Sequence, residues 1–161
     1  MTNIQQDEQL GAALGAIPSG LFIVTSQQNG KSATMLASWV QQAGFEPPSV
    51  TFVVGKGRPL EAFMTVGSPV VINVAAKGDG KIIGQFAKSF APDVDPFEGV
   101  ATGTAPSGQF YLADAIAYLD ATVTSSLDAG DHLVILATIN NGARLNDVEP
   151  AIHIRKNGFK Y

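Results

Sequence analysis

Leu21-Phe22-Ile23-Val24-Thr25-Ser26-Gln27-Gln28-Asn29-Gly30-Lys31-Ser32 is the stretch that decides the fold. Its first five residues form an apolar, β-branched run, which suits a buried strand. Asn29-Gly30 then interrupts it. A type I′ turn needs positive φ at both central residues, and Asn-Gly supplies them with the least strain. The chain is therefore expected to fold back here, with a return strand over Ser32 to Gln42.

The flanks continue in the same manner. Asp7 to Ile17 is rich in Ala and Leu and reads as a short helix, ended by Pro18-Ser19-Gly20. Downstream, Pro47-Pro48 is expected to stop pairing, and Ser49 to Val54 alternates as the next strand. Gly57-Arg58-Pro59 opens a helix over Leu60 to Thr65, with proline where a missing N–H costs nothing. Val70 to Val74 is a strand. Gly80 to Lys88 is a helix with Ile82, Ile83, Phe86 and Ala87 on one face. Ser89 to Gln109 holds three Pro and three Gly and reads as a long loop, with a short strand at Gly99 to Thr102. Loops of this length inside a compact domain are usually functional or pack on something. Ala113 to Leu127 and Asp131 to Ile139 are long strands, Asn141-Gly142 a turn, and Ala151 to Lys156 a last strand. Six or seven strands with two or three short helices make a mainly β, antiparallel barrel, one domain over residues 1–161.

Composition removes whole classes of function. The 161 residues carry 10 Lys+Arg against 14 Asp+Glu, a net charge of −4. That balance argues against binding nucleic acid by phosphate neutralisation. The absence of Cys excludes disulfides, thiol nucleophiles and thiolate metal sites. No apolar run approaches a membrane span, and Met1 to Gln9 is polar rather than signal-like, so a cytoplasmic protein is expected. Only 15% of residues are charged while 45% are hydrophobic. Part of the surface is therefore expected to be covered by a second subunit.

Familiar catalytic signatures fail. Gly30-Lys31-Ser32 lacks the earlier glycine of a phosphate-cradling loop, since position 25 is Thr. Gly55-Lys56-Gly57 and Gly78-Asp79-Gly80 lack the third glycine of a dinucleotide fingerprint. His132 and His153 have no carboxylates at ligand spacing, so no metal site is expected. Three regions remain. Ser32 to Trp39 carries Ser32, Thr34 and Ser38 among small residues, which lets a flat ligand approach the backbone; the alternative is an ordinary half-buried strand. Lys56-Gly57-Arg58-Pro59 sets two cations at a helix N-terminus, where backbone N–H groups attract anions; the alternative is a solvated turn. Gly130-Asp131-His132 precedes an apolar strand, and His132 is either a ligand partner or a structural residue.

Several short motifs occur in one order along residues 12 to 161. They are Pro18-Ser19-Gly20 with Val24-Thr25, Ala33 to Val40, Pro47-Pro48 and Val71-Ile72-Asn73-Val74. Phe86-Ala87, Asp95-x-Phe97-x-Gly99 and Gly130-Asp131-His132 follow. Together they resemble the flavin reductase-like family, whose fold is the FMN-binding split barrel with Greek-key connections. Ser38 to Phe45 and the tail His153 to Gly158 are similar to the branch that includes the reductase domain of oxygen-reducing diflavin flavoproteins and related stand-alone proteins. Ala137-Thr138-Ile139 stands where the family commonly has Gly-Arg-Val.

The resemblance implies an FMN-binding homodimer that takes hydride from NADH or NADPH, without a side-chain nucleophile. It implies flavin contacts from Thr34, Met35, Leu36, Ala37, Ser38 and Trp39, whose backbone N–H groups would stabilise charge on the ring. Ser38, Lys56 and Arg58 are the candidates for the FMN phosphate, Lys88 is a further cation, and Asn73, Phe86 and Ala87 lie in matching motifs. His132 would sit beside the nicotinamide. The residues leave open an NAD(P)H:flavin oxidoreductase, an electron-transfer module serving a flavin-using partner protein, a binder of another flat cofactor such as haem or F420, and a structural dimer.

Overall fold

Asn29 and Gly30 both take positive φ, 54° and 74°, and the chain reverses there as the dipeptide requires. The computed structural model describes the backbone of residues 4–161 and side chains from residue 7, so part of the polar stretch Met1 to Gln9 lies outside the described residues. The helices are α1 (Ile4–Gly15) and α2 (Gly80–Phe86), with a 3₁₀ helix at Pro59–Phe63. The strands are β1 (Ser19–Gly20), β2 (Phe22–Gln28), β3 (Lys31–Ala37), β4 (Val40–Phe45), β5 (Pro48–Gly55) and β6 (Pro69–Val74). After them come β7 (Thr102–Thr104), β8 (Phe110–Leu112), β9 (Ala117–Asp128), β10 (His132–Arg144) and β11 (Ile152–His153).

Seven strands form one antiparallel sheet in the order β3-β2-β6-β9-β10-β5-β4. Alternation along the strands sends one set of side chains inward. Val24, Ala33, Ala37, Val50, Phe52, Val54, Val70, Ile72, Val123 and Ile135 meet in a single interior, joined by Leu60 and Met64 from the 3₁₀ segment. Strands from both ends of the sheet share that interior, so the sheet curls into a split barrel. The fold is thus mainly β and antiparallel, as the sequence predicts. A second cluster lies outside the barrel, where Ile82 and Phe86 of α2, together with Phe97 and Leu112, cover Ile23. This outer layer explains why β6 reads as a continuous apolar run: Val70 to Ile72 are buried on both faces.

Several boundaries differ from expectation. The single return strand over Ser32 to Gln42 is two strands: β3 pairs with β2, β4 pairs with β5, and Ser38-Trp39 carries the chain across. Strand-forming residues run through this exchange, so pattern alone hides it. Pro47-Pro48 does not stop pairing but closes the β4–β5 hairpin, with Pro48 opposite Phe45; proline is tolerated at a strand's first position. Asn141-Gly142 is no turn: both residues lie inside β10, opposite Asp120 and Leu119. A Cβ on Gly142 would come within 2.8 Å of the Tyr118 carbonyl oxygen, so this glycine serves close strand approach. In the long loop the strand is Thr102–Thr104 rather than Gly99 to Thr102, and it pairs with Phe110–Leu112. The strand expected from Ala113 starts at Ala117, and the last strand shrinks to Ile152–His153, paired with Ser19–Gly20.

Candidate functional site

β3 is an edge strand, hydrogen-bonded to β2 on one side only. Along its other side runs an open cleft of about 450 Å³. Every residue from Ser32 to Trp39 lines this cleft. Ala33, Met35 and Ala37 belong to the barrel interior, whereas Leu36 packs with the outer layer. Residues of both faces can meet one cleft only if it follows the strand's edge. The unpaired N–H and C=O groups of that edge therefore open into it. The opposite wall is built by Ile83 and Phe86 of α2 and by Ala87, Lys88, Ser89 and Phe90. Asp79 starts this wall, its carboxylate accepting from the Ile82 N–H at 3.2 Å. The walls are apolar, the hydroxyls are few, and the lining holds Arg58, Lys88 and His153 but no carboxylate.

The structure brings Thr34, Met35, Leu36, Ala37, Ser38, Trp39, Arg58, Phe86, Ala87 and Lys88 to this one cleft. Lys56 is elsewhere engaged, its Nζ donating to both Asp128 carboxylate oxygens at 2.8 and 2.9 Å. The helix N-terminus read at Lys56-Gly57-Arg58 needs correction. The helix is a five-residue 3₁₀ segment. The Gly57 N–H already donates to the Glu61 carboxylate and the Arg58 N–H to the Gly55 carbonyl. What the turn delivers is the Arg58 side chain alone; Gly57, at φ 85°, permits the bend. Asn73 is fully buried on β6 and lies outside the cleft. Its amide donates to the Ile23 carbonyl at 3.0 Å and accepts from the Leu112 N–H at 2.8 Å, tying β2 to β8.

His132 lines an adjoining cleft of about 410 Å³, which shares Trp39, Val53 and Tyr161 with the first. The turn at Ala129-Gly130, with Gly130 at φ 104°, starts β10 so that His132 faces Gly55 across the ladder. Its Nδ1 lies 2.7 Å from Asp131 Oδ1, and its Nε2 bonds the Tyr161 hydroxyl. A carboxylate only accepts, so Nδ1 carries the hydrogen, and in the tautomer that leaves Nε2 bare this nitrogen accepts from the phenol. The His132 hydrogen bond holds the Asp131 carboxyl below its ordinary value. Burial pushes the Tyr161 phenol up, against the nearby Arg58 charge, so it keeps its proton at neutral pH. The Trp39 ring lies 5.1 Å from the His132 ring and 5.6 Å from the Tyr161 ring, centroid to centroid. The Arg155 guanidinium stacks over Trp39 at 5.1 Å and that of Arg58 over Tyr161 at 5.9 Å.

Sequence reasoning missed Ser89, Phe90 and Tyr161 as lining residues. Ser89 and Phe90 open the long loop that its length already marked as functional. Tyr161 sits 29 residues beyond His132, and no local pattern links the two.

The class the geometry defines is a mainly β split barrel with a cleft of small-molecule size along its edge strand. The family description "Flavin reductase like domain" matches residues 14–160, and the chain belongs to that family. It is 41% identical over 158 residues to Diflavin flavoprotein A 1 of Synechocystis sp., covering 96% of this chain and 27% of that protein. The chain thus spans about a quarter of the length of the curated relatives it matches. Among solved structures, the Streptomyces globisporus NADH:FAD oxidoreductase SgcE6 superposes with a TM-score of 0.84 at 24% identity, covering 96% of this chain and 92% of that one. The styrene monooxygenase flavin reductase of Pseudomonas putida superposes with a TM-score of 0.75 at 19% identity, over 95% and 93% of the two chains.

Proposed function

We propose that the chain is an NAD(P)H:flavin oxidoreductase that binds FMN in the β3 cleft. The observation that carries this reading is the run of eight consecutive lining residues, Ser32 to Trp39, along an open strand edge. A flat, polar-edged ring suits that wall, because backbone donors and acceptors alternate along it and small side chains let the ring come close. The rest of the lining fits the remainder of the cofactor. Phe86, Ile83 and Phe90 supply apolar contact, while Arg58, Lys88 and the Ser38 hydroxyl suit an anionic phosphate. A bound flavin would supply the ring that accepts hydride from a nicotinamide. The chain's own residues bind, orient and exclude water. The N–H groups of the β3 edge favour added negative charge on the ring they face. His132, in the adjoining cleft and fixed by Asp131, is the orienting group for the nicotinamide and needs to take no proton.

The same reading makes residues 1–161 one working unit and the protein a homodimer in a cytoplasmic setting, where reduced nicotinamide nucleotide is available. Large apolar side chains on the surface support a covered face: Phe45 is 89% exposed, and Val66, Leu127 and Ile152 stand out similarly. Among the described residues no helix is long and apolar enough to cross a membrane. The test is spectroscopic. Protein loaded with FMN should lose its flavin absorption band when NADH or NADPH is added without oxygen. Tight FMN binding without bleaching by either nucleotide would overturn the oxidoreductase reading in favour of an electron-transfer module fed by a partner protein.

A further inference from the structure

The two clefts meet at three residues, Trp39, Val53 and Tyr161. Val53 belongs to β5, and Trp39 is anchored to it by its carbonyl, which accepts from the Val53 N–H at 3.2 Å. Tyr161 belongs to no strand or helix and is 71% exposed. It is held by side chains alone: the hydrogen bond to His132 Nε2, the tilted contact with Trp39, and the Arg58 guanidinium over its ring. Each of those three partners has another task in the function proposed above. Arg58 and Trp39 line the flavin cleft, and His132 faces the nicotinamide side.

Hydride transfer requires reacting atoms about 3–3.5 Å apart. No side chain can stand between the two ligands at that distance, yet Tyr161 forms part of the wall between the two clefts. Its chemistry also matches what it would yield to. A flat ring with one polar substituent, tilted against Trp39 and hydrogen-bonded to His132, offers the kinds of contact a nicotinamide with its carboxamide would make. We infer that Tyr161 is a placeholder in the nicotinamide subsite, docked on His132 and Trp39 until the dinucleotide displaces it. This inference rests on the oxidoreductase reading and adds to it a residue that sets nucleotide affinity. A site open for only a fraction of the time binds with its affinity reduced by that fraction. Docking for about four-fifths of the time would therefore weaken nucleotide binding about fivefold.

Trp39, the chain's one tryptophan, touches Tyr161 directly and reports its departure. NAD⁺ and NADP⁺ are titrated into FMN-loaded wild-type protein, Tyr161→Ala and Tyr161→Phe, with Trp39 emission as readout and FMN stoichiometry as the check on folding. Wild type should show a saturable emission change. Tyr161→Ala should start near the wild-type end point and bind the preferred nucleotide about fivefold more tightly. Tyr161→Phe, which keeps the ring but not the hydrogen bond, should lie between. Weaker binding by Tyr161→Ala would make the ring a platform for the nucleotide and overturn the placeholder. Equal affinity in all three proteins would overturn it as well, while leaving the oxidoreductase reading intact. Failure of all three to bind either nucleotide, with FMN binding preserved, would overturn both.

Discussion

Arg58 and Asn73, both cofactor-binding candidates in the sequence, stand in different places in the fold. Arg58 stands at the cleft without a carboxylate within ion-pair distance among the described residues, and its planar fork suits a phosphate. Arg58→Ala is expected to weaken FMN by about 1.5–3 kcal/mol, the range of a charge-assisted hydrogen bond. Riboflavin affinity should stay unchanged; fluorescence titration of both ligands checks this. Asn73→Ala should act on the fold instead. It strips partners from two buried backbone groups, the Ile23 carbonyl and the Leu112 N–H. The expected loss is about 2–4 kcal/mol in denaturant unfolding, with FMN affinity of the folded protein unchanged. At this scale the sequence singled out the residues of the β3 edge and Arg58, which line one cleft, because their chemistry is local and their neighbours are small. It could not separate Asn73 from them, since a buried amide and a ligand-facing amide look alike until the packing is known. Nor could it place Tyr161, whose partners come from three distant segments.

The β9–β10 hairpin is the element that aims His132, and its turn is electrostatically pinned. Asp128 accepts from Lys56 and from the Gly130 N–H, which together hold its carboxyl below the ordinary 3.8. A depressed carboxyl contributes stability above its unfolded value and loses it as pH falls through the folded one. The stability difference between wild type and Asp128→Asn should therefore be constant at neutral pH and shrink below about pH 3.8. Thermal melts across an acid series measure it. Most elements were legible because apolar periodicity and turn chemistry agree at the β2–β3 hairpin, along β5, and in α2 with its Asp79 cap. Legibility failed where one cue has two meanings. Asn-Gly marks a turn at Asn29-Gly30 but strand contact at Asn141-Gly142, and only the pairing with Asp120 and Leu119 decides between them.

For the whole molecule, sedimentation at micromolar concentration is expected to give about twice 16.8 kDa. A concentration-independent monomer that still binds FMN would contradict the dimer. The barrel's split form has one more consequence. A strand edge with unmet hydrogen-bonding groups is a template for adding another strand, and proteins usually blunt such edges with charge, proline or a covering loop. Along Ser32 to Trp39 the chain has none of these; the recess beside β3 is shaped for a small molecule instead. A flavin bound there, as proposed, would act as a chaperone of the edge as well as a reagent. Protein depleted of flavin should be the form that self-associates, and adding riboflavin, which lacks the phosphate but covers the strand, should restore its solubility.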